Sequence, residues 1–269
     1  MTPIASHITA FLRQHLMEER NVSGNTCESY AYAFKLLLEY AGSRLKMQPS
    51  KLCFEQIDAP LVVDFLSHLE SHRNNGANSR NIRLAAIKSF MRFMQYRLPA
   101  ALAQIQRMLT IPAKKKETRL VKHLTVAEMQ AILDAPVPTC RDGIRDRAML
   151  HLCFAAGLRV SELVGLQLTD LKLQPCSSIL IHGKGRKERC LPLWKQTAKA
   201  LRAWLEVRGA VSGVCLFVNA RGEAMTRSGF EYILDKHVKV AAATCSSLSH
   251  KRISPHVLRH TCALTVLQA

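Results

Sequence analysis

The first hundred or so residues show only the apolar spacing of α-helices, which limits the amino-terminal part of the chain to a helical domain. Apolar side chains recur at helical intervals, and Asn- and Gly-rich stretches interrupt them. The pattern predicts helices over about 4–17, 26–42, 58–69 and 79–97. In the third helix, Asp58 is a favourable N-cap and Pro60 stands in the first turn. In the fourth, the side chains predicted to face the core are Ile82, Ala86, Phe90 and Phe93.

The remaining positions of the fourth predicted helix are rich in positive charge and include Arg80, Arg83, Lys88 and Arg92. Such a basic face can follow a phosphate backbone. It can equally be a solvated face without a partner, which is what most charge runs are. The basicity of the whole chain favours DNA contact for Arg80, Arg83 and Lys88.

Residues 112–122 have one proline, no apolar periodicity and five positive charges against one negative. This composition predicts a basic linker between a helical domain over 1–111 and a second domain over 123–269. The linker could lie along a duplex, with Lys114, Lys115 and Lys116 on its phosphates. A flexible tether explains the composition equally well.

The second domain combines helices with short strands. Thr125 and Glu128 form a capping box, and a helix over 141–156 ends at Gly157, a residue suited to a helix C-cap. Two strand-like runs, 178–182 and 188–193, flank a predicted hairpin turn. The other predicted elements are short or ordinary helices over 158–165, 195–208 and 228–243, and a short strand over 216–218. The predicted fold class is therefore mainly α with a small β-sheet (α+β).

The composition favours a polyanionic partner. Lys and Arg outnumber Asp and Glu by 38 to 20, which gives a formal net charge of +18. Nucleic acid is the leading candidate, because the charge is spread along the chain. A membrane partner is disfavoured, since no basic amphipathic helix with aromatic anchors lies at a terminus. With no apolar run of spanning length and no signal-peptide pattern, the expected location is cytoplasmic.

The nine cysteines and eleven histidines predict neither a disulfide framework nor a metal centre. The cysteines are scattered singly, their number is odd, and no C-x-x-C pair occurs. The histidines lack metal-ligand spacing. We therefore expect small, buried free thiols in a reducing compartment.

A candidate anion site begins at Ser254. Ser254 is a good N-cap, and Pro255 suits the first helical position. His256 and Arg259 are three residues apart, so both project from the same face at the helix start. The unpaired backbone N–H groups there already favour an anion. The pair suggests a phosphate undergoing chemistry, although a histidine at a helix end is common without any site.

Two further candidates, Arg159 and Lys184, are ambiguous when taken alone. Arg159 follows the predicted helix stop at Gly157 and could be a surface arginine. Lys184 lies in the predicted hairpin turn, where a lone lysine usually serves solubility. The glycines around Lys184 do not form a phosphate-binding loop, because G-x-x-x-x-G-K-[ST] is absent and no helix follows them.

Three motifs carry these candidates in order along the chain. They are Gly157-Leu158-Arg159-Val160-Ser161-Glu162-Leu163, Gly183-Lys184-Gly185-Arg186-Lys187-Glu188-Arg189 and His256-Val257-Leu258-Arg259-His260-Thr261. Together they resemble the tyrosine recombinase (phage integrase) family, and within it the Xer-type bacterial recombinases. The resemblance covers nearly the whole chain. It implies a helical, SAM-like core-binding domain over 1–111, a catalytic domain over 123–269, and site-specific recombination of double-stranded DNA through a 3′-phosphotyrosyl intermediate.

The resemblance also implies roles for individual residues. Arg159 and Arg259 would hold the non-bridging oxygens of the scissile phosphate, since a guanidinium can meet two oxygens at once. Lys184 would protonate the departing 5′ hydroxyl, and His256 would assist proton movement and phosphate binding. Glu162 matches a family carboxylate that would orient the first arginine without reacting. Apart from the resemblance, we expect His260 to pack against or support its helix and Arg186 to contact DNA. No metal or other cofactor is implied, because two arginines and a lysine supply the positive charge.

The nucleophilic tyrosine of the family has no counterpart in this sequence. The family pattern continues past Arg259, through a second His or Trp, to that tyrosine. The tyrosines here, Tyr30, Tyr32, Tyr40, Tyr96 and Tyr232, all precede the motif. Tyr232 is predicted to pack in the core. Because the chain ends inside an apolar helix, we expect a C-terminally incomplete recombinase that does not cleave strands without the missing segment.

Two functions therefore stand side by side. In its complete form the protein would recombine DNA in a tetrameric synaptic complex with itself or a related recombinase. The alternative is a non-catalytic DNA-binding fragment or accessory protein that occupies recombination sites, which the absent tyrosine favours. A type IB topoisomerase uses similar chemistry, but the recombinase-like N-terminal domain argues against it.

Overall fold

A computed structural model of the chain describes residues 2–115, 123–183, 187–209 and 213–268. They fall into two compact units, unit 1 (Met1–Thr118) and unit 2 (Arg119–Ala269). Each unit has its own hydrophobic core. None of the helices in these ranges combines the length and the apolarity that crossing a membrane requires.

Unit 1 consists of helices and short 3-10 turns. The first predicted helix is observed as α1 (Ile4–Ala10), which continues as a π-helix over Phe11–Glu19. The other three predicted helices are confirmed with slightly different ends, and a further short one follows: α2 (Gly24–Leu45), α3 (Ala59–Arg73), α4 (Ala77–Arg97) and α5 (Leu102–Leu109). The 3-10 turns are Pro49–Lys51, Phe54–Gln56 and Pro99–Ala101. The helix α5 was not predicted.

Aromatic side chains pack at the centre of unit 1. The ring centroid of Phe90 lies 5.5 Å from that of Phe11 and 5.4 Å from that of Phe34, both in edge-to-face geometry. The start of α3 is formed as predicted, since the Asp58 carboxylate accepts the amide of Leu61 at 2.9 Å. This bond satisfies a donor that the first helical turn leaves free.

The buried face of α4 agrees with the prediction at Ala86, Phe90 and Phe93, which are all buried. Leu84, Ile87, Met91 and Met94 are buried along it at helical spacing. Ile82 lies at the edge of this stripe and is 40% exposed, so its predicted inward position is wrong.

Arg80 belongs to the same buried stripe, because it precedes Leu84 by one helical turn. It is only 7% exposed, and its Nη1 donates to the carbonyl oxygen of Pro112 at 3.2 Å. Its Nε lies 3.9 Å from the carboxylate of Glu70. The expectation that Arg80 forms part of an open basic face is therefore wrong, and its side chain instead ties elements of unit 1 together.

Arg83 and Lys88 are half-buried on α4. The guanidinium carbon of Arg83 lies 5.0 Å from the ring centroid of Tyr32, a cation–π contact. Burial, and then the neighbouring charge of Arg92, lowers the pKa of the Lys88 ammonium. DNA contact by Arg83 and Lys88 stays a prediction.

The start of the predicted linker is docked onto unit 1. The Oδ1 of Asn81 accepts the amide of Lys114 at 3.0 Å, and its Nδ2 donates to the Lys114 carbonyl at 2.8 Å. The Lys114 ammonium lies 2.8 Å from the carboxylate of Glu70. Residues 112–114 are therefore not a free tether. Lys115 is exposed, whereas Lys116 and the rest of the segment up to residue 122 lie outside the described residues.

Unit 2 packs helices around a small antiparallel sheet. Its helices are α6 (Val126–Asp134), α7 (Arg141–Ala155), α8 (Val160–Val164), α9 (Lys195–Arg208), α10 (Arg227–Ala242) and α11 (Pro255–Gln268). Its strands, in sheet order, are β1 (Leu171–Lys172), β2 (Ser178–His182) and β3 (Glu188–Pro192). The 3-10 turns are Leu168–Asp170 and Ser246–His250. The predicted fold class, mainly α with a small sheet, is confirmed.

The capping box at the start of α6 is also confirmed. The amide of Glu128 donates to Thr125 Oγ1 at 3.2 Å, and the amide of Thr125 donates to Glu128 Oε2 at 2.9 Å. Lys251 and Ser247 donate to the same carboxylate at 2.7 and 2.6 Å. Burial raises the pKa of the Glu128 carboxyl, but these hydrogen bonds outweigh burial and lower it to about 2.

Three predictions about unit 2 are wrong. Residues 216–218 form no strand of the sheet; Val218 makes only an isolated bridge, and the Leu216 carbonyl accepts the Trp204 indole N–H at 2.9 Å. A short buried apolar run does not by itself specify a strand. The predicted core position of Tyr232 is also wrong, since this residue is 71% exposed. The buried face of α10 is formed instead by neighbours such as Phe230 and Ile233. The expectation that the cysteines are buried is wrong for Cys140, Cys176 and Cys190, which are exposed. All nine cysteines are free.

Candidate active site

Three arginines from separate elements of unit 2 meet at the carboxylate of Glu162. The Nη1 of Arg159 donates to Oε1 at 2.8 Å, and the Nη2 of Arg189 donates to Oε2 at 2.8 Å. The Nη1 of Arg259 lies 3.7 Å from Oε2. The fold therefore brings the two arginines of the first and third motifs to one carboxylate.

The turn between α7 and α8 positions Arg159. Gly157 adopts a φ of +54°, a conformation that favours glycine, and so provides the predicted helix stop. Arg159 then occupies the N-cap position of α8, and its amide donates to Glu162 Oε2 at 2.9 Å. Glu162 is thus held by the backbone as well as by the arginine side chains.

Helix α11 positions Arg259. It begins where predicted, since the Ser254 carbonyl accepts the amides of Val257 and Leu258 at 2.9 and 3.3 Å. The Nη1 of Arg259 donates to the carbonyl of Gly157 at 2.6 Å. A Cβ added to Gly157 would come 3.3 Å from the Sγ of a cysteine in α11, so the helix packs closely on this turn.

Arg189 had no predicted role, although it belongs to the second motif. It pairs with Ile181 across β2 and β3, and strand alternation turns its side chain to the same face as Leu191. Its two terminal nitrogens donate to both oxygens of Glu162, at 3.3 and 2.8 Å. This is the bidentate geometry of strong arginine–carboxylate pairs. Strand alternation is the signal that could have identified it.

The charge of Glu162 is stable in this setting. Its side chain is 4% exposed. Burial raises the pKa of the carboxyl, but hydrogen bonds from Arg189 and Arg159 outweigh burial and lower the pKa to about 2. Three guanidinium charges against one carboxylate leave the cluster with two net positive charges, so it attracts an anion.

The arginines keep one side open to solvent. The side chain of Arg159 is 49% exposed, and that of Arg259 is 33% exposed. Each guanidinium has five N–H donors, of which the contacts within the cluster use only some. Glu162 therefore orients the arginines from their buried side. The N–H donors on the exposed side of the guanidinium groups remain free to bind an anion from solvent.

His256 is exposed beside this cluster, on a cavity of about 210 Å³ that Arg159 also lines. Arg259 follows three residues later on the same helix. The structure thus places His256, Arg159 and Arg259 at one part of the surface of unit 2. His260 is exposed as well, and its supporting role stays a prediction.

Lys184 and Arg186 lie outside the described residues. The residues on either side of them are placed, and the Gly183 amide donates to the Lys187 carbonyl at 2.7 Å. Gly183 and Lys187 line a second cavity, of about 360 Å³, together with Arg159. The base of the hairpin therefore lies beside Arg159.

His182, which was not predicted as a site residue, joins this hairpin base to a neighbouring turn. Its Nε2 lies 3.0 Å from Asp170 Oδ1, and its Nδ1 lies 3.0 Å from Glu188 Oε1. The hydrogen bonds to Asp170 and then Glu188 raise the pKa of the imidazole. Both ring nitrogens donate only in the protonated form, so the geometry favours a cation here.

Comparison with known families matches both units. Residues 122–269 match the Phage integrase family, and residues 8–97 match the Phage integrase, N-terminal SAM-like domain. The protein y4rC of Sinorhizobium fredii, named as an integrase/recombinase, is 43% identical over 266 residues, which cover 99% of this chain and 80% of y4rC. Tyrosine recombinase XerC of Pelobacter propionicus is 34% identical over 269 residues, which cover 100% of this chain and 84% of XerC.

Solved structures share the fold at lower identity. XerH site-specific recombinase bound to a palindromic difH substrate, in a post-cleavage complex, has a TM-score of 0.73 and 21% identity, covering 96% of this chain and 73% of that chain. A lambda integrase tetramer bound to a Holliday junction has a TM-score of 0.65 and 15% identity, covering 98% and 73%. The SAM-like domain and the integrase catalytic domain expected from the motifs are thus confirmed, and the chain belongs to the phage integrase family of tyrosine recombinases.

Proposed function

We propose that unit 2 holds the scissile phosphate of a DNA duplex between Arg159 and Arg259 during site-specific recombination. The observation that carries the proposal is the buried Glu162 carboxylate, which orients both arginines while their outer sides face solvent. A phosphoryl transition state concentrates negative charge on its non-bridging oxygens, and preoriented guanidinium groups stabilise that charge. Membership of the family supports strand cleavage and rejoining as the reaction.

In this reaction a tyrosine oxygen forms a bond to the phosphorus while the bond to the 5′ oxygen breaks. Lys184 gives a proton to the departing 5′ oxygen, and His256 assists proton movement and phosphate binding. Glu162 orients without reacting, because a pKa of about 2 leaves it no proton to donate near neutral pH. The phosphodiester energy is retained in the phosphotyrosyl bond, so the strand can be rejoined without ATP.

This reaction needs a tyrosine nucleophile after the third motif. The 269 residues contain none there, since the last tyrosine in the sequence is Tyr232. We propose that these residues alone bind DNA and do not cleave it. A tyrosine from outside this sequence, in the same chain or on a partner, completes the reaction.

The partner is double-stranded DNA, and the net charge of +18 supports contact with its phosphates. The assembly that recombines two sites is proposed to be a tetramer of this protein or of this protein with a related recombinase. Family membership and the tetrameric lambda integrase assembly on a Holliday junction support this proposal.

The proposal is tested with a nicked duplex chosen from a randomised pool by binding to the 269-residue chain. We expect tight, salt-sensitive binding but no covalent adduct on a denaturing gel. Fusion of the tyrosine-bearing segment of a relative should then give an adduct. A covalent adduct with the 269 residues alone would contradict the assignment of the nucleophile.

The matched controls are Arg159→Ala and Arg259→Ala in the fused chain. Both should retain duplex binding and lose the adduct. Loss of folding in both variants, seen by circular dichroism, would instead show that these arginines are structural. Absence of duplex binding by the unsubstituted chain would overturn the proposed function as a whole.

A further inference from the structure

His182 is a residue at the end of the hairpin stem that the proposed reaction does not use. It is the last residue of β2 and pairs with Glu188, the first residue of β3. Lys184 follows it by two positions in the sequence, within the segment that joins the two strands. Because only two peptide bonds separate His182 from Lys184, the position of this strand end limits where the Lys184 ammonium can reach.

Each ring nitrogen of His182 faces a carboxylate from a different element. Nδ1 lies 3.0 Å from Oε1 of Glu188, across the hairpin. Nε2 lies 3.0 Å from Oδ1 of Asp170, in the 3-10 turn Leu168–Asp170. An ionised carboxylate only accepts hydrogen bonds, and a neutral imidazole has one N–H donor. Only the imidazolium therefore satisfies both contacts at once.

Asp170 connects this strand end to the body of unit 2. It is 6% exposed, and its Oδ2 accepts the amide of Gln167 at 2.8 Å. Among the described residues, β1 pairs with β2 only at the opposite end of that strand, at Ser178 and Ile179. The contact between His182 and Asp170 thus holds the part of β2 that β1 does not reach.

The charges around the ring favour the protonated form. Hydrogen bonds to Asp170 and then to Glu188 raise the pKa of the His182 imidazole above its ordinary value of 6.5. The other charged residues of the adjoining strands and of the hairpin base are Lys172, Lys187 and Arg189. Of these, Arg189 is turned to Glu162. The double contact is therefore complete below pH 6.5 and is lost as the pH rises through the raised pKa.

We infer that protonated His182 fixes the end of the β2–β3 hairpin and so positions Lys184 to give its proton to the departing 5′ oxygen. This inference rests on the proposed function, because Lys184 has that role only in the recombination reaction. In the step itself a tyrosine oxygen bonds to phosphorus, the bond from phosphorus to the 5′ oxygen breaks, and the Lys184 ammonium supplies the proton. His182 exchanges no proton with the substrate, so it is a positioning residue.

Titration of the imidazole in the 269-residue chain is the first test. NMR of chains with labelled histidine gives the midpoint, and the His182 signal is identified by its loss in His182→Gln. We expect a midpoint above 6.5 that falls in both Asp170→Asn and Glu188→Gln. The signal of His250, an exposed histidine of the same unit, should respond to neither substitution. A His182 midpoint at or below 6.5 would overturn the inference.

Strand cleavage by the fused chain is the second test, on two forms of the selected duplex. One form has the natural 5′ oxygen at the scissile bond, and the other has sulfur there. Sulfur leaves as a thiolate without a proton, because a thiol is far more acidic than an alcohol. Lys184→Ala should therefore be slow on the oxygen form and be restored on the sulfur form.

His182→Gln should show the same pattern to a smaller extent. We expect cleavage of the oxygen form to slow by about tenfold, because a small displacement of a catalytic group is costly, and cleavage of the sulfur form to be unchanged. The matched control His250→Gln should leave both rates unchanged. In the unsubstituted chain, the ratio of the oxygen rate to the sulfur rate should fall as the pH rises through the His182 midpoint. His182→Arg keeps a charge and donors for both carboxylates, so its ratio should stay constant over that range.

The outcomes separate this inference from the proposed function. If the fused chain cleaves and His182→Gln cleaves the oxygen form at the unsubstituted rate, or cleaves both forms equally slowly, the inference is wrong and the proposed function stands. If the fused chain forms no adduct, or if sulfur does not restore Lys184→Ala, the proposed function fails and the inference with it. If His182→Gln does not fold, the unsubstituted chain decides, and a rate ratio that stays constant through the His182 midpoint would overturn the inference.

Discussion

Two arginine–glutamate pairs in this molecule have opposite exposure. In unit 1, the side chain of Arg80 is 8% exposed while that of Glu70 is 23% exposed. In unit 2, the side chain of Glu162 is 4% exposed while that of Arg159 is 49% exposed. The two pairs contain the same chemical groups, but the carboxylate is the outer partner in the first and the inner partner in the second.

This difference distinguishes a structural pair from the proposed phosphate site. Arg80 lies inside unit 1 and donates to the backbone of Pro112, and Lys114 approaches Glu70 from outside. No guanidinium face of that pair is left open for an anion. In unit 2 the buried carboxylate fixes several guanidinium groups from below, and their outer N–H donors remain in solvent. Which partner is buried decides whether such a pair can bind phosphate.

Removal of the exposed arginines should give the largest effect. In a chain fused to a tyrosine-bearing segment, Arg159→Ala should slow strand cleavage by about 10²- to 10³-fold, because one preoriented donor to the transition state is lost. Binding should change much less. The rate of adduct formation and the duplex affinity measure the two quantities. Arg80→Lys is the control from unit 1, and a comparable loss of cleavage in that variant would contradict the comparison.

Substitution of the two carboxylates, Glu162 and Glu70, should affect the free energy of unfolding to different extents. Glu162→Gln leaves partly buried arginines without their counter-charge, and we expect the free energy of unfolding of unit 2 to fall by about 3 kcal/mol. Glu70→Gln disturbs a more exposed pair and should cost about 0.5 kcal/mol. Urea unfolding followed by circular dichroism measures both. Equal losses would show that the exposure of the carboxylate does not matter.

The pH dependence of stability tests the buried carboxylates without a large structural change. The pKa values of Glu162 and Glu128 are lowered from 4.5 to about 2 in the folded protein. Their contribution to stability is therefore complete above pH 4.5 and is lost as the pH falls towards 2, because the unfolded chain binds more protons over that range. Urea midpoints at a series of pH values should fall accordingly, and Glu162→Gln should flatten the curve. A constant midpoint across this range in the unsubstituted protein would contradict the lowered pKa values.

The smallest effect should come from the docked part of the linker. Lys115 is exposed, whereas the ammonium of Lys114 is held by Glu70. If the segment follows a duplex, Lys115→Ala should reduce the salt slope of DNA binding by about one, and Lys114→Ala should reduce it by less. Titration of duplex DNA at several salt concentrations measures both slopes. A larger change for Lys114→Ala would show that its ion pair opens to meet DNA.

Features that depend on neighbouring residues in the chain were predicted well. The N-cap at Asp58, the capping box at Thr125 and the glycine stop at Gly157 all form as expected. Each rests on bonds or torsions within a few residues, so the sequence contains the whole cause. The hairpin strands β2 and β3 were found for the same reason.

Features that depend on distant contacts were predicted poorly. Ile82 and Tyr232 are apolar or aromatic residues on helices, yet both are exposed, because packing partners cover other faces of their helices. The sequence pattern places Arg80 on a basic face, but its side chain donates a hydrogen bond to the carbonyl of Pro112, 32 residues away. Helical periodicity gives a face, and only the tertiary partner shows whether that face is covered.

The sequence by itself indicated most local elements, the family and the two arginines of the proposed phosphate site, because each of these depends on residue types in a given order along the chain. The tertiary structure alone decided that Arg189 joins Glu162 and that His182 lies between Asp170 and Glu188. It also decided that Glu162 is buried beneath its arginines while Glu70 lies outside Arg80. The physical reason is that charge and spacing are properties of the chain, whereas burial and the counter-charge of each group are set by elements far apart in sequence that pack together.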